Sequence, residues 1–317
     1  MSGILAFDIG GTKIASGVVQ LPSDDSGRPK ITLQDEIPTR PSEGGDKVRE
    51  RLICFAASQL ESARLDGLEI EGIGIAAAGV PDSATGEIIS ATDILPGWRG
   101  QQLYAAFAEI TDLPVYMVGD VIAHGIGEAY YGAGRGSRKL LSIGVGTGIG
   151  GAIIIDGDPY LGAHGVAGHA GHMTSPLGQG FLCSCGSAEG HIEPVASGQG
   201  LANLYNRRTG RQLVSSGAQV AQLAQEGDKL ATSTLSDSAE ALGACIGGMA
   251  NLIDPDGIVI SGSVTKAGPV WWNALQKGFS HSALPLLSRI LLVDGNLGGQ
   301  APLIGAAVAA HRHIAHQ

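Results

Sequence analysis

The chain has 317 residues, a formal net charge of −10 and an apolar content of 44%, with a pI near 5.3. Length and apolar content suffice for two domains with full cores, while the negative charge argues against nucleic acid or an anionic membrane as the main partner. No apolar run reaches the ~18 residues that span a bilayer, and no signal peptide precedes the first strand, so a soluble cytoplasmic protein is expected.

The first predicted element is a β-hairpin with a glycine-rich tip. Apolar, β-branched runs at 4–7 and 14–19 flank the segment Asp8-Ile9-Gly10-Gly11-Thr12-Lys13. Glycine lets the backbone adopt positive φ and turn its N–H groups inward, which makes a concave surface suited to a phosphate. Asp8 is then placed to hold Mg²⁺ through water; the alternative is an aspartate that only caps its own turn, beside a solvated Lys13.

Helix and strand patterns alternate through the next hundred residues. We predict a helix over 46–65, a strand over 70–76, a turn over 79–82, a helix over 101–110 and a strand over 115–118. This alternation predicts an α/β architecture.

Asp120 follows the last of these strands and begins a predicted helix. Open α/β sheets bind ligands at this position, where a carboxylate can accept the proton of a hydroxyl that attacks a phosphate. Helix N-capping is the alternative role. A domain boundary is predicted here, giving a first domain of residues 1–118 with the last helix, 303–317, and a second domain of residues 119–302.

A second glycine-rich hairpin is predicted over residues 140–157, with Gly146, Thr147 and Gly148 at its tip. Residues 146–151 formally match the dinucleotide pattern G-x-G-x-x-G, but that site needs a helix directly after the glycines, and a strand is predicted instead. Two such turns in equivalent places indicate a duplicated domain that binds a nucleoside triphosphate from both sides of a cleft. The alternative is that both are only tight hairpins.

A glycine- and histidine-rich insert, residues 161–193, contains four candidate zinc ligands: His172, Cys183, Cys185 and His191. Two thiolates one residue apart, with histidines on both sides, provide the four ligands of a closed tetrahedral zinc site. Reduced thiols without metal are the alternative. The remaining elements are mostly helices, one over 233–252, with strands at 257–262 and 289–293.

Together, several segments resemble the ROK family of the actin-like ATPase superfamily. They are LAFDIGGTKIASGVV (5–19), GIGIAAAGVPD (72–82), LPGWRG (95–100), GVGTGIGGAIIIDG (144–157), GVAGHAGHM (165–173), CSCG (183–186), HIEPVASGQG (191–200) and GIVISGSV (257–264). The resemblance implies an α/β fold of two actin-like, ribonuclease H-like domains flanking a cleft, with a zinc-binding insert. It also implies ATP-dependent phosphorylation of a hexose or amino-hexose, usually at the 6-hydroxyl, by a homodimer or homotetramer.

The resemblance also implies roles for individual residues. Asp120 would be the catalytic base. ATP and Mg²⁺ would bind at Asp8, Gly10, Gly11, Thr12, Lys13, Gly146, Thr147, Gly148 and Gly262, the last near the adenosine. The sugar would contact Gly79, Gly119, Asp120, His169, His172 and Glu193, with His172 also a ligand of structural zinc. Family repressors carry a DNA-binding domain before the first phosphate turn, and only a few residues precede Asp8 here, so a regulator is not expected.

Three residues depart from the family pattern. Gly119 stands where family kinases usually have asparagine, which removes a hydrogen-bond partner for a sugar hydroxyl. His169 replaces a glutamate of many glucokinases and matches N-acetylmannosamine kinases. His191 replaces a zinc-binding cysteine, and zinc accepts imidazole. We therefore expect N-acetylmannosamine or glucose as substrate; the alternatives are an unusual amino-hexose or a non-catalytic sugar sensor.

Overall fold

The structure is a computed structural model that describes residues 2–22, 27–92, 94–186 and 189–316. The chain forms two compact units, one of Met1–Arg135, Gly157–Val166 and Gly299–Gln317, the other of Gly136–Asp156 and Ala167–Gly298. The boundary predicted between residues 118 and 119 falls inside the first unit, which also contains the last helix. Among the described residues, no helix is long and apolar enough to cross a membrane.

Strands and helices alternate along both units. Within the described residues the strands are β1 (Ser2–Ile9), β2 (Lys13–Gln20), β3 (Lys30–Pro38), β4 (Glu69–Ala77), β5 (Val80–Pro81), β6 (Ile88–Ser90), β7 (Val115–Gly119), β8 (Lys139–Val145), β9 (Ile149–Ile155), β10 (Asp158–Pro159), β11 (Gly257–Ser261) and β12 (Leu292–Asp294). The α-helices are α1 (Gly45–Leu65), α2 (Leu103–Ala108), α3 (Asp120–Tyr131), α4 (Glu193–Ala196), α5 (Gly198–Thr209), α6 (Gly217–Gln225), α7 (Lys229–Ile253), α8 (Pro269–Ser282) and α9 (Ala301–Ala315).

The first unit is built on a sheet of order β3-β2-β1-β4-β7. β1 pairs antiparallel with β2 but parallel with β4, and β4 pairs parallel with β7. The carboxyl ends of β1, β4 and β7 therefore lie at one edge of the sheet. On one face Phe7 packs against Phe55 of α1 and Phe107 of α2, and all three rings belong to one buried cluster.

The other face of this sheet is covered by α3 and α9, which pack closely through small residues. A Cβ atom on Gly305 would lie 1.7 Å from the carbonyl oxygen of Ala123, and one on Gly127 would lie 2.4 Å from that of Ala301. Only glycine permits backbones to approach this closely. The packing holds α3, whose first residue is Asp120, against the sheet of its own unit.

The second unit repeats the arrangement. Its sheet contains β9, β8, β11 and β12 in that order, with β8 and β9 forming an antiparallel hairpin and the other pairs parallel. The first unit has the equivalent order β2-β1-β4-β7, as a duplicated domain requires. The core lies between the sheet and the helices α7 and α8, where Leu242, Ile246, Leu275 and Phe279 are fully buried.

Most predicted elements are confirmed, with differences at their ends. Both glycine hairpins form, and the helix predicted over 46–65 is α1. The helix predicted over 101–110 is limited to α2, and the strand predicted over 289–293 begins only at Leu292. Residues before Leu292 bond locally instead, as the N–H of Ile290 donates to the carbonyl of Leu287, 2.9 Å away, and closes a turn.

Candidate active site

The first glycine turn, residues 10–12, joins β1 to β2. The N–H of Gly10 donates to the carbonyl oxygen of Lys13 at 3.0 Å, and Thr12 is exposed. The expectation of positive φ is wrong for Gly10 and Gly11, which are not among the described glycines with positive φ. A Cβ at position 11 would lie 2.9 Å from Cγ2 of Ile94, so a larger residue there would have to displace this exposed side chain. Lys13 Nζ pairs with Glu36, 2.5 Å away.

Thr39, which sequence analysis missed, holds this turn from the end of β3. It is fully buried, its hydroxyl donates to the carbonyl of Gly10 at 2.7 Å, and its N–H donates to the carbonyl of Thr12 at 2.9 Å. Its own carbonyl accepts a hydrogen bond from the guanidinium of Arg51 on α1, 2.6 Å away. The turn is therefore tied to β3 and α1. Burial of a threonine between two polar segments is a tertiary feature with no local sequence signal.

Two carboxylates of the first unit, Asp8 and Asp120, have raised pKa values. Burial, and then the charge of Asp120, raises the pKa of Asp8 from 3.8 to about 7, although Lys13 lowers it in part. Burial raises the pKa of Asp120 from 3.8 to about 6 against the opposing effect of backbone N–H donors, among them that of Val121 at 2.8 Å. Carboxylates with raised pKa values at a sheet edge are typical of functional sites.

The alternative role of Asp120 as a helix N-cap is wrong. The N-cap of α3 is Gly119, and Asp120 is the first helical residue. Its carboxylate nevertheless accepts the N–H of Val121 in the first turn of the helix, 2.8 Å away.

Gly119, the last residue of β7, and Gly79, which follows β4, lie at the same edge of the sheet. Gly79 has a φ of 90°, and a Cβ on it would lie 2.4 Å from the carbonyl oxygen of Ser90, so the backbone requires glycine there. Gly119 has φ −62° and ψ 148°, which any residue adopts. A Cβ on Gly119 would meet Gly79 O and Ile122 Cδ1 at 3.5 Å, an ordinary contact. Neither the backbone conformation nor the space for a Cβ therefore imposes glycine at this position.

The second glycine turn, residues 146–148, lies against two other segments of the second unit. The N–H of Gly198, the first residue of α5, donates to the carbonyl of Gly146 at 2.7 Å. Gly262 follows β11 with a φ of 105°, and a Cβ on it would lie 2.4 Å from the carbonyl oxygen of Val145. Thr147 is exposed, and Gly146 and Gly148 are not among the described glycines with positive φ. A glycine turn beside a helix N-terminus suits an anion.

The four predicted zinc ligands come together. The ligand atoms of His172, Cys183, Cys185 and His191 all lie within 4.8 Å of one another. The sulfur of Cys183 is 3.4 Å from Nδ1 of His172, and the sulfur of Cys185 is 3.6 Å from Nδ1 of His191. Tetrahedral zinc with ordinary bond lengths separates sulfur and nitrogen ligands by about 3.6 Å, so the residues fit this metal.

Glu193 begins α4 and reaches back to the second hairpin. Its Oε2 accepts the N–H of Ile149 at 2.8 Å, and its Oε1 accepts the hydroxyl of Ser184 at 2.5 Å. His169 is exposed and stacks beside His172, with 5.9 Å between ring centroids. The structure thus brings Glu193 to the second glycine turn and places His169 next to a predicted metal ligand. The role of Ser184 was not predicted.

Known proteins match the chain over almost its whole length. The model of the ROK family matches residues 4–313. A glucokinase of Halalkalibacterium halodurans is 32% identical, over 95% of this chain and 92% of that protein. An N-acetyl-D-glucosamine kinase of Escherichia coli is 30% identical, over 96% and 98% respectively.

A solved structure supports the same relationship. The crystal structure of a ROK family glucokinase from Streptomyces griseus, in complex with glucose and AMPPNP, superposes with a TM-score of 0.79 at 29% identity. The superposition covers 98% of this chain and 99% of that one, which confirms the predicted α/β, actin-like fold class. Since the family model and both relatives span nearly the full sequence, the chain belongs to the ROK family.

Proposed function

We propose that this protein is an ATP-dependent sugar kinase that phosphorylates a hexose or N-acylhexosamine, at the 6-hydroxyl. The observation that carries the proposal is the placement of Asp120, partly buried beside Asp8 at the carboxyl edge of the sheet, in a chain similar to sugar kinases over almost its whole length. The edge where parallel strands end is where α/β proteins bind their ligands.

The proposed mechanism is in-line transfer of the γ-phosphoryl group. Asp120 accepts the proton of the sugar hydroxyl as the hydroxyl oxygen attacks the γ-phosphorus. The bond between the γ-phosphorus and the bridging oxygen of ATP breaks at the same time, and ADP leaves. A pKa of about 6 leaves the carboxylate ionised at neutral pH and makes it a stronger base than an ordinary aspartate. N–H donors of the two glycine turns, with Lys13, Thr12 and Thr147, bind the phosphates. Most of the rate enhancement in phosphoryl transfer comes from such positioning and charge stabilisation.

Asp8 is the proposed Mg²⁺ residue. Its carboxyl group is partly buried, and the nearby charge of Asp120 raises its pKa. A bound divalent cation would relieve the repulsion between these two carboxylates. Mg²⁺, when bound, neutralises charge on the phosphates and keeps part of its water shell. Gly10 and Gly11 bring the backbone of the first turn next to this carboxylate, and Gly262 leaves room beside the second turn for the nucleoside.

A structural zinc ion is proposed for the cluster of His172, Cys183, Cys185 and His191. All four positions of a tetrahedral ion are taken by protein atoms, which is typical of structural rather than catalytic zinc. Ligation of zinc through Nδ1 of His172 leaves its Nε2 for a sugar hydroxyl. Glu193, His169, Gly79 and Gly119 are proposed to complete the sugar contacts.

N-acetylmannosamine and glucose are the proposed substrates. Gly119 is the residue that we propose determines which of the two sugars is preferred. The amide of an asparagine at this position would donate and accept hydrogen bonds, and its absence favours a sugar that does not need them. Because the backbone conformation of Gly119 suits any residue and a Cβ there makes only ordinary contacts, Gly119→Asn should fold normally and increase kcat/KM for glucose.

The test is ADP release from MgATP across glucose, mannose, N-acetylglucosamine, N-acetylmannosamine and free amino-hexoses. We expect strong turnover with one sugar, a loss of activity in Asp120→Asn, and a shift toward glucose in Gly119→Asn with unchanged thermal stability. Activity of Asp120→Asn equal to that of the parent would overturn the role of the base. Sugar binding by calorimetry without any turnover would overturn the kinase assignment.

A further inference from the structure

We propose that Ser184 is a positioning residue, whose hydroxyl orients the Glu193 carboxylate and, through it, fixes the end of the second glycine turn. The assignment of Glu193 as a sugar contact rests on the proposed function, but the hydrogen-bonded link itself does not. Ser184 lies between Cys183 and Cys185, so the link joins the metal-binding loop to the predicted phosphate turn.

Both oxygens of Glu193 are engaged by different segments. Oε1 accepts from Ser184 at 2.5 Å, and Oε2 accepts from the N–H of Ile149, the first residue of β9, at 2.8 Å. Ile149 directly follows the turn of residues 146–148 and pairs with Val145 across the hairpin. Glu193 therefore accepts a hydrogen bond from a backbone N–H at the end of the turn. A change in the orientation of its carboxylate would weaken this hydrogen bond directly.

The surroundings leave the Glu193 carboxylate little freedom. A Cβ atom on Gly148 would lie 2.8 Å from Oε2, and one on Gly171 would lie 3.2 Å from both Oε2 and Cβ of Glu193. Glycine at these two positions lets the carboxylate approach the backbone. The orientation is then set by its donors, and among the described residues these are Ser184 and Ile149.

The loop that carries Ser184 is itself fixed. Its neighbours Cys183 and Cys185 belong to the four-ligand cluster, the N–H of Gly186 donates to the carbonyl of Cys183 at 3.0 Å, and Leu182 bridges to Glu189. Ser184 is exposed, and an exposed hydrogen bond from a mobile donor contributes little because ordering the donor costs entropy. A donor held between two ligands avoids that cost, and its bond to a charged acceptor is correspondingly stronger.

Two readouts follow from this link. Loss of the Ser184 hydroxyl should weaken the hydrogen bond from the Ile149 N–H to Glu193. It should also weaken binding of the sugar by Glu193 more than it slows phosphoryl transfer. A hydrogen bond to a charged group corresponds to about tenfold in an equilibrium constant. A serine that only supports the loop would instead change metal content or the stability of the whole unit.

The experiment compares the metal-loaded wild type with Ser184→Ala, Ser184→Thr and the control Ser233→Ala. The control removes a hydroxyl that bonds within α7 of the same unit, to the carbonyl of Leu230 at 3.0 Å. Site-resolved amide hydrogen exchange is measured without substrates, followed by KM and kcat for the sugar. In Ser184→Ala we expect exchange at Ile149 and KM each to rise by about tenfold, with kcat within about twofold and zinc content unchanged. Ser184→Thr should restore both.

Wild-type exchange at Ile149 in Ser184→Ala would overturn the proposal, as would zinc loss or uniformly faster exchange in the second unit. Because the exchange measurement uses no substrate, it remains decisive even if the protein proves not to be a kinase.

Discussion

The burial of the Asp8 and Asp120 carboxyl groups favours the proposed chemistry but lowers the stability of the fold. Burial raises the pKa of both carboxyl groups, to about 7 and about 6, so each ionised group is less stable in the fold than in the unfolded chain. The same shift makes Asp120 a better base. Functional residues often reduce stability in this way.

The raised pKa of Asp120 predicts the acid side of the pH profile. Only the ionised carboxylate accepts a proton, so kcat/KM should fall as the pH decreases through about 6. At pH 5 the value should be about a tenth of that at pH 8, because about a tenth of the groups remain ionised. Initial rates at saturating MgATP and low sugar concentration test this. An acid limb near pH 4 would contradict the raised pKa of Asp120.

The same shift predicts that Asp120→Asn stabilises the protein at neutral pH. With a folded-state pKa above the unfolded value of 3.8, the native state binds more protons between about pH 4 and 6, so stability falls as pH rises through that window. Asparagine does not ionise, so the variant does not lose this stability as the pH rises. We expect its free energy of unfolding to exceed that of the wild type by about 1–3 kcal/mol at pH 7.5, and this difference to vanish below pH 4. Chemical denaturation at both pH values measures it.

Asp82 provides the matched control for that experiment. Its carboxylate accepts the N–H of Ala84 at 2.9 Å, which lowers its pKa. The ionised Asp82 carboxylate stabilises the fold at pH values above its pKa in the unfolded chain, and this stabilisation is lost in acid. Asp82→Asn should therefore lower the stability slightly at pH 7.5. A gain in both variants would show that the effect is not specific to the buried carboxylate.

At the scale of elements, the end of β3 determines the shape of the first glycine turn through Thr39. Thr39→Val keeps the volume but leaves the carbonyl of Gly10 without its donor, which should cost about 1–2 kcal/mol of stability. We expect KM for ATP to rise more than KM for the sugar, and Thr39→Ser to restore it. Equal changes in both KM values would contradict a role in holding the phosphate turn.

The turn after β11 depends on Gly262 in a different way. Its φ is 105°, and a Cβ added there would lie only 2.4 Å from Val145 O, so Gly262→Ala must displace backbone, at a cost of about 2–4 kcal/mol. Gly248 in α7 is the control, since its Cβ would meet no atom within 4 Å. Gly248→Ala should stabilise the helix by about 0.5–1 kcal/mol. Thermal denaturation of both variants measures these opposite effects.

At the scale of the whole molecule, each unit has its own sheet and core, and the proposed zinc belongs to the second. Elemental analysis should find one zinc per chain, lost in His191→Ala but retained in Cys54→Ala, whose thiol lies on α1 of the first unit. Chelation should lower the thermal stability of the second unit, because ligand binding to the native state adds directly to its stability. A metal-free protein of unchanged stability would refute the structural zinc.

The sequence by itself determined the features that depend on local pattern or short spacing. Alternating apolar runs around glycine fixed the two hairpins, and ligands within one insert, His172 to His191, were identifiable because a few residues of chain can bring them together. The position of Asp120 after a strand was visible for the same reason. Family-specific segments then identified the fold.

Only the tertiary structure decided which distant groups touch. Thr39 reaches Gly10 across 29 residues of sequence, and Glu193 reaches Ile149 across 44. Such contacts depend on strand register and on how segments pack, and neither is encoded in the neighbouring residues. The expectation of positive φ was wrong at Gly11 and Gly148 for the same reason. These two glycines are distinguished by distant side chains, since an added Cβ would lie 2.9 Å from Cγ2 of Ile94 and 2.8 Å from Oε2 of Glu193.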